Sequence, residues 1–470
     1  MSVPILSVAE MRSWEEATWS AGIRSKDVIA RVGLALAARI RALTGASDRV
    51  LILVGRGNNG ADARAALAHL ESRTVDVLEV SDPTQAVPAW NSARRRRPAL
   101  VVDALFGIGL NRALDPAWCS FIESVNAAGF RVLSVDVPSG IDADTGRHWG
   151  AVIRADLTLT VGAPKRGLLA SEAWSSVGRM ETIREVGLVG EPAGSDDRDW
   201  MLDADFADWP LRRAVAGNKG DFGRTVVLAG SPGFTGAGIL SLRAASRARP
   251  GLLAALVPES IHAVVSGQVP SAMVHPFAPR HGLLDKASAI LAGPGLADPA
   301  LPESLRQEVL RLWMEFPGVV VLDASALAWI TDAPSRSAQS GLRVITPHPG
   351  EAARMLGSSV AEVQSDRPAA LRRLAKQFAA LVVLKGHQTL VGGAEGRLWV
   401  NSTGNPGLAQ GGTGDVLAGF LAGLLAQPAP RDRWAEAAAY AVWEHGRAAD
   451  RLEASRRNWT AEDLAEAIGA

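Results

Sequence analysis

Short runs of β-branched residues and leucine alternate with alanine-rich helical stretches along the whole chain, the pattern of parallel sheets covered by helices. In the first half strands are predicted at RVLILVG, TVDVLEV, ALVVDALFG, FRVLSVDVPSG and ADLTLTVGAP, with amphipathic runs such as ADARAALAHLESR and AWCSFIESVNAAG between them. The pattern restarts in the second half with RTVVLAGS, GLLAALVP, ASAILAGPG, GVVVLDAS, LRVITPHPG and LVVLKG. Between residues 185 and 221 the periodicity lapses into a segment dense in Gly, Pro and charge, which reads as a domain junction. A length of 470 residues also suits two α/β domains better than one core. The expected division is 1–210 and 211–470, each an α/β/α sandwich. At the C-terminus, Thr460 and Asp463 have capping-box spacing for a last helix.

Charge and composition narrow the partners. Lys plus Arg and Asp plus Glu are equal at 49 each, so no overall field draws the chain to nucleic acid or an anionic membrane. Small molecules and further copies of the chain, as a homo-oligomer, are the expected partners. Cys119 is the only cysteine, which excludes an internal disulfide framework and a cysteine-based metal cluster and fits a reducing cytoplasm. The opening MSVPILSVAEMRSWEE has no basic start and meets Glu10 before any sizeable apolar run, unlike a signal peptide. The longest strongly apolar run, residues 416 to 426, falls far short of the ~20 residues of a membrane span.

Two glycine-rich loops carry the candidate chemistry. Gly55, Gly57 and Gly60 match G-x-G-x-x-G directly after a strand and at a helix start, the Rossmann-like context of a dinucleotide site. On a plain dehydrogenase reading Glu79, at the end of the next strand, would hold a ribose. The loop also contains Asn58, Asn59 and Asp62; two neighbouring strands end in Asp103 and Asp136, and Ser139 follows the second. Carboxyl ends of adjacent parallel strands converge, and amide, carboxylate and hydroxyl oxygens without His or Cys suit a hard cation, K⁺ or Mg²⁺. The second loop lies in NSTGNPGLAQGGTGDVLAGFLAGLLA, where Gly411, Gly412 and Gly414 open an all-apolar helix with Asp415 at its mouth. Bare N–H groups there can bind a transferring phosphoryl group while the carboxylate takes a proton from an attacking hydroxyl. No Walker loop is present.

In order, GRGNNGAD, DALFGIGLNRAL, VDVPSGIDADTG and ADLTLTVGAPKRGLL resemble the NAD(P)H-hydrate epimerase family over most of residues 50 to 170. The resemblance implies Asn59, Asp103 and Ser139 as monovalent cation (K⁺) ligands. It implies that the loop of Asn58, Asn59, Gly60, Ala61 and Asp62, the turn of Gly107, Ile108, Gly109, Leu110, Asn111, Arg112 and Ala113, and Asp136 hold the hydrated dinucleotide. Asp136 is the candidate acid/base for inversion at C6. The family's loop usually reads NNGGDG, and Ala61 and Ala63 replace two of its glycines; methyls there cost strain if φ must be positive.

KGDFGRTVVLAGSPGFTGAGILSLRAASRARPG, ILAGPG, VVLDASAL, VITPHPGEAARML, VVLKGHQTLV and the GGTGDVLAG run resemble the ADP- or ATP-dependent NAD(P)H-hydrate dehydratase family, of ribokinase-like fold, over residues 217 to 430. This implies that Ala237, Gly295, His348 and Asp415 line the hydrate site, and that Lys385, Gly386, His387, Gln388 and Thr389 with Gly414 hold the adenine nucleotide. ADP is the expected phosphoryl donor, hydrated NADH and NADPH the substrates, and Glu351 a water-mediated Mg²⁺ ligand by fold analogy. The family's DADALN stands here as Asp323, Ala324, Ser325, Ala326 and Leu327, one acid fewer. Two other readings stay open: a vitamin-precursor kinase of the same fold, and an N-terminal domain that binds without catalysing.

Overall fold

Alternate residues of the Arg49–Val54 strand serve opposite cores: Val50, Ile52 and Val54 enter one, Leu51 and Leu53 the other. A strand buried on both faces needs helices above and below it. In this computed structural model, which describes residues 2–331, 341–428, 433–456 and 458–470, the Ser25–Leu43 and Asn58–Leu67 helices cover the first face. The Pro83–Arg95 and Pro116–Ala127 helices cover the second. Backbone contacts gather Val3–Trp200 into one compact unit and Met201–Ala470 into a second; residue 210 lies inside the second, past the Asp203–Phe206 turn.

The sheet of the first unit is parallel throughout, in the order Thr74–Glu79, Arg49–Val54, Leu100–Ala104, Val132–Val135, Leu157–Val161 and Arg179–Ile183. Five of these match the expected strands. The sixth, RMETI, is a half-exposed edge strand whose mixed composition gives no apolar run to detect. The chain leaves Arg49–Val54 toward one side and returns to Leu100–Ala104 on the other, so a crevice opens beyond the carboxyl ends of these two strands.

In the second unit the strands run Leu398–Val400, Leu390–Gly392, Leu381–Leu384, Arg343–Ile345, Val319–Leu322, Ala289–Ala292, Arg224–Leu228, Leu252–Val257 and Met273–Pro276. The pairs among the first three are antiparallel and the rest are parallel. Here the order reverses between Arg224–Leu228 and Ala289–Ala292. Met273–Pro276, Leu390–Gly392 and Leu398–Val400 were not expected, being short and, in the first case, mostly half-exposed. Thr460 caps the Ala461–Ala467 helix as its spacing predicts, its hydroxyl accepting from the Asp463 N–H. Among the described residues no helix is long and apolar enough to cross a membrane.

The Thr413–Leu425 helix is buried from Val416 onward and lies against the Thr235–Arg247 helix, where Gly419 permits the approach. A methyl on Gly419 would stand 2.1 Å from the Ser241 carbonyl oxygen. Helix propensity alone says Gly419→Ala stabilises by about 1 kcal/mol, whereas this contact forces a backbone shift costing about 1–3 kcal/mol. We expect chemical denaturation to show a net loss; a raised midpoint would mean the helices do not cross this closely.

Candidate active sites

The crevice of the first unit is a cavity of about 740 Å³. Asn58, Asn59, Asp62, Asp136 and every residue from Gly107 to Ala113 line it, while Gly60 and Ala61 lie just behind in the same helical turn. Gly60 has a specific reason to be glycine, because a side chain there would meet the Gly55 carbonyl oxygen at 2.0 Å. Ala61 and Ala63 carry no strain: the helix begins at Asn58, neither residue has positive φ, and the Ala63 methyl is buried in the core. The expectation of a strained loop is therefore corrected. Those two positions are ordinary helix interior, where alanine outranks glycine. Glu79, considered for a ribose, is not among the residues lining this cavity, and its carboxylate is forked to Arg64 at 2.9 and 2.5 Å.

Asp103 and Ser139 are fully buried and are not among the lining residues, although Ser139 Oγ accepts from the N–H of Phe106, which is. Fully buried, Asp103 accepts from Ser134 Oγ (2.8 Å), the Ser139 N–H (2.9 Å) and Ser139 Oγ (2.6 Å). Burial pushes its pKa up, and the bonds from Ser139 and Ser134 oppose that rise. Asn59 donates to the Phe106 carbonyl (2.8 Å), which lies 3.4 Å from Ser139 Oγ, while Asn59 Oδ1 is buried without a hydrogen-bond partner. A buried orphan amide oxygen, on a side chain linked through the Phe106 carbonyl to the Ser139 hydroxyl and the Asp103 carboxylate, belongs to an all-oxygen set whose chemistry fits a K⁺ ion.

Asp136 has left-handed backbone (φ 64°), which Asp tolerates better than most residues and which marks a constrained site. One carboxylate oxygen, Oδ1, takes Lys165 Nζ at 2.5 Å and the Val161 N–H at 3.1 Å; the other, Oδ2, faces Gly107 across the cavity wall. Lys165 is 1% exposed and also donates to the Val161 carbonyl at 2.7 Å. Sequence reasoning gave Lys165 no role, although it ends a strand segment just as Lys385 does. It also missed Arg12 and Glu15, which reach the cavity from the Val8–Ser20 helix, distant in sequence and without a motif. Burial, then the Asp136 and Glu15 charges, push the pKa of Asp62 up to about 8, against the pull of Lys165. Burial raises Glu15 as well.

In the second unit the loops after successive parallel strands bring a similar cluster together. Ala237 and Gly295 meet at the point where strand order reverses, a methyl on Gly295 falling 2.8 Å from Ala237 Cβ. His348 caps the Pro349–Leu356 helix, its Nδ1 accepting from the Gly350 and Glu351 N–H groups, and its own N–H donates to Glu351 Oε2 at 2.8 Å. Glu351 is thereby turned back on the helix end, with Lys385 within its field. Such a carboxylate fits Mg²⁺ through water rather than directly.

Lys385 donates to Asp323 Oδ1 at 2.6 Å, and Thr346 Oγ1 donates to the same oxygen at 2.7 Å. Burial works to lower the Lys385 pKa, but Asp323, then Glu351, outweigh it and leave it above its ordinary value. A methyl on Gly414 would lie 3.5 Å from Lys385 Nζ and 4.0 Å from Asp323 Oδ2, so the helix start carrying Asp415 sits directly over this pair. Burial, followed by the Asp323 charge, pushes Asp415 up to about 7, with Lys385 opposing. The turn of Gly386, His387, Gln388 and Thr389 follows Lys385; Thr389 Oγ1 donates to the Gly386 carbonyl at 3.0 Å, and Gln388 is left-handed (φ 53°). Asp323 and Thr346 went without a role in the sequence reading; a strand-end aspartate in VVLDAS was the available signal.

A Rossmann-like unit with an acid-lined cavity, and a unit whose strand ends place a lysine and a carboxylate at a helix N-terminus, define a two-part α/β enzyme that works on nucleotides. A family model described as NAD(P)H-hydrate dehydratase matches residues 225–469, and one described as YjeF-related protein N-terminus matches 25–91 and 78–167. Proteins named bifunctional NAD(P)H-hydrate repair enzyme are 34% identical in Coxiella burnetii, over 97% of this chain and 96% of that one, and 34% in Escherichia coli K12, over 96% and 90%. A ribokinase-like superfamily protein of Enterococcus faecalis V583 superposes with TM-score 0.52 at 26% identity, covering 60% of this chain and 97% of that one. The chain belongs to the family of bifunctional NAD(P)H-hydrate repair enzymes.

Removing one member of a buried ion pair strands the other. Asp323→Ala should therefore cost about 3–5 kcal/mol in urea denaturation, and adding Lys385→Met should restore most of it. Additive losses in the double variant would show that the two charges are not coupled.

Proposed function

We propose that the first unit interconverts the R and S forms of hydrated NADH and NADPH at C6, and that the second dehydrates the S form with ADP as phosphoryl donor, giving AMP and phosphate. The observation that carries this reading is the place of Asp415 at the start of a buried helix, over Lys385, where burial pushes its pKa up to about 7. Hydroxide is a poor leaving group. Asp415 takes the proton of the C6 hydroxyl as its oxygen attacks the terminal phosphorus of the nucleotide, a transfer that general-base catalysis favours when the base titrates near working pH. The main-chain N–H groups at the start of the Thr413–Leu425 helix and the Lys385 ammonium face the charge that develops on the phosphoryl oxygens. The phosphate ester then leaves, pushed by the lone pair of the ring nitrogen, and loss of a C5 proton restores the dihydronicotinamide.

Ala237, Gly295 and His348 are assigned to the hydrate, and Lys385, Gly386, His387, Gln388, Thr389 and Gly414 to the adenine nucleotide. Mg²⁺, held by the nucleotide phosphates and by Glu351 through water, would neutralise phosphate charge. In the first unit Asn59, Asp103 and Ser139 would hold K⁺, which offsets the pyrophosphate beside the Asn58–Asp62 loop.

Full-length protein given hydrated NADH and ADP should regenerate the near-ultraviolet absorbance of the dihydronicotinamide, and hydroxyethyl heterocycles should take up no phosphate. Asp415→Ala should lower kcat at least about 100-fold without preventing nucleotide binding. Because Asp415 must be ionised to act and titrates at about 7, parent kcat should climb from pH 6 to 8. Undiminished turnover of the alanine variant, or a rate independent of pH across that window, would remove Asp415 from the mechanism.

A further inference from the structure

Two carboxylates line the cavity of the first unit in opposite settings. Asp136 has one oxygen on Lys165 and its other turned toward the cavity turn at Gly107. Asp62, 9% exposed, also lines the cavity, and among the described residues it has neither a hydrogen bond nor a salt bridge from its carboxyl group. They stand on different elements: Asp62 on the helix after Arg49–Val54, Asp136 at the end of Val132–Val135. Leu100–Ala104, which leads into the Gly107 turn, runs between those two strands. The charged groups acting on Asp62 are Asp136, Glu15 and Lys165, with Arg12 near Glu15.

Resting on the epimerase reading of this unit, we propose that inversion at C6 is shared between two acids: Asp62 donates the proton that lets the hydroxyl leave, and Asp136, bonded through Oδ1 to Lys165, accepts on Oδ2 the proton of the water that returns. Asp62 gives its proton to the C6 hydroxyl oxygen as the C6–O bond breaks and the N1 lone pair closes a C6=N1 double bond; water departs. Water then adds to the opposite face of C6, its proton passes to Asp136 Oδ2, and the π electrons return to N1. Asp62 has lost the proton that Asp136 has gained, which is the state the reverse inversion starts from, and exchange with solvent resets the pair. The direction of the Asp62 shift agrees with a donor kept protonated at neutral pH: burial, Asp136 and Glu15 hold it up at about 8. Lys165 is then a positioning residue for Asp136.

The test uses the full-length protein without ADP, so that the second unit is idle, and follows conversion of purified R hydrate to S by chromatography at early times. The parent rate should fall as pH rises through about 8, where Asp62 loses its proton. Asp62→Asn should lower kcat about 100-fold or more with KM little changed and should abolish that alkaline limb. Asp62→Glu should recover part of the rate. Dehydration of S hydrate with ADP, measured on each variant, reports that the chain is folded. The proposal is overturned if Asp62→Asn keeps the parent's kcat, if only its KM rises, or if the parent shows no alkaline limb. A parent that does not interconvert the two forms at all overturns the epimerase reading itself, which separates that failure from this one.

Discussion

A lysine withdrawn from water must find a negative charge, and in each unit that requirement fixes the site. Lys165 meets Asp136 and Lys385 meets Asp323, each lysine lying just beyond the carboxyl end of one strand and each aspartate just beyond another. Desolvating two such ions costs several kcal/mol apiece, which is recovered only in close geometry with further hydrogen bonds. The structure supplies them: the Val161 carbonyl and N–H in the first case, Thr346 in the second. Because the partners come from different loops, each pair also fixes the separation of strand ends between which a ligand would sit.

The consequence is the same on both sheets. One oxygen of the paired aspartate is consumed by the lysine and the other is turned toward a glycine of the site, Gly107 or Gly414. A second aspartate, Asp62 or Asp415, stands close enough to feel that charge and is pushed toward neutrality by its own burial. The charge of one carboxylate raises the proton affinity of its neighbour. The same electrostatic arrangement thus recurs in both units.

Much of the fold was legible in the sequence. Buried parallel strands must be apolar throughout, so the strands that form the centre of each sheet could be read directly, together with the helix starts at the two glycine loops. The strands that escaped, such as Arg179–Ile183 and Leu390–Gly392, are edges or very short pieces whose identity comes from a neighbour's hydrogen bonds rather than from their own composition. Ala61 and Ala63 illustrate the reverse error: compared with a glycine-rich pattern they look strained, but the helix begins early enough to make alanine the better residue.

By itself the sequence determined the class of fold, the positions of the two glycine-rich loops and the family, because strand burial, glycine at close approach and motif order are local properties written in consecutive residues. It could not show that Lys165 lies on Asp136 or Lys385 on Asp323, nor that Arg12 and Glu15 reach the first cavity. Those pairings join residues from separate loops, and only the packing of the sheet decides which strand ends become neighbours and how much water is left between them. A carboxylate's proton affinity depends on that burial and on those neighbours, so the raised pKa values of Asp62 and Asp415 follow from tertiary structure and could not be read from consecutive residues.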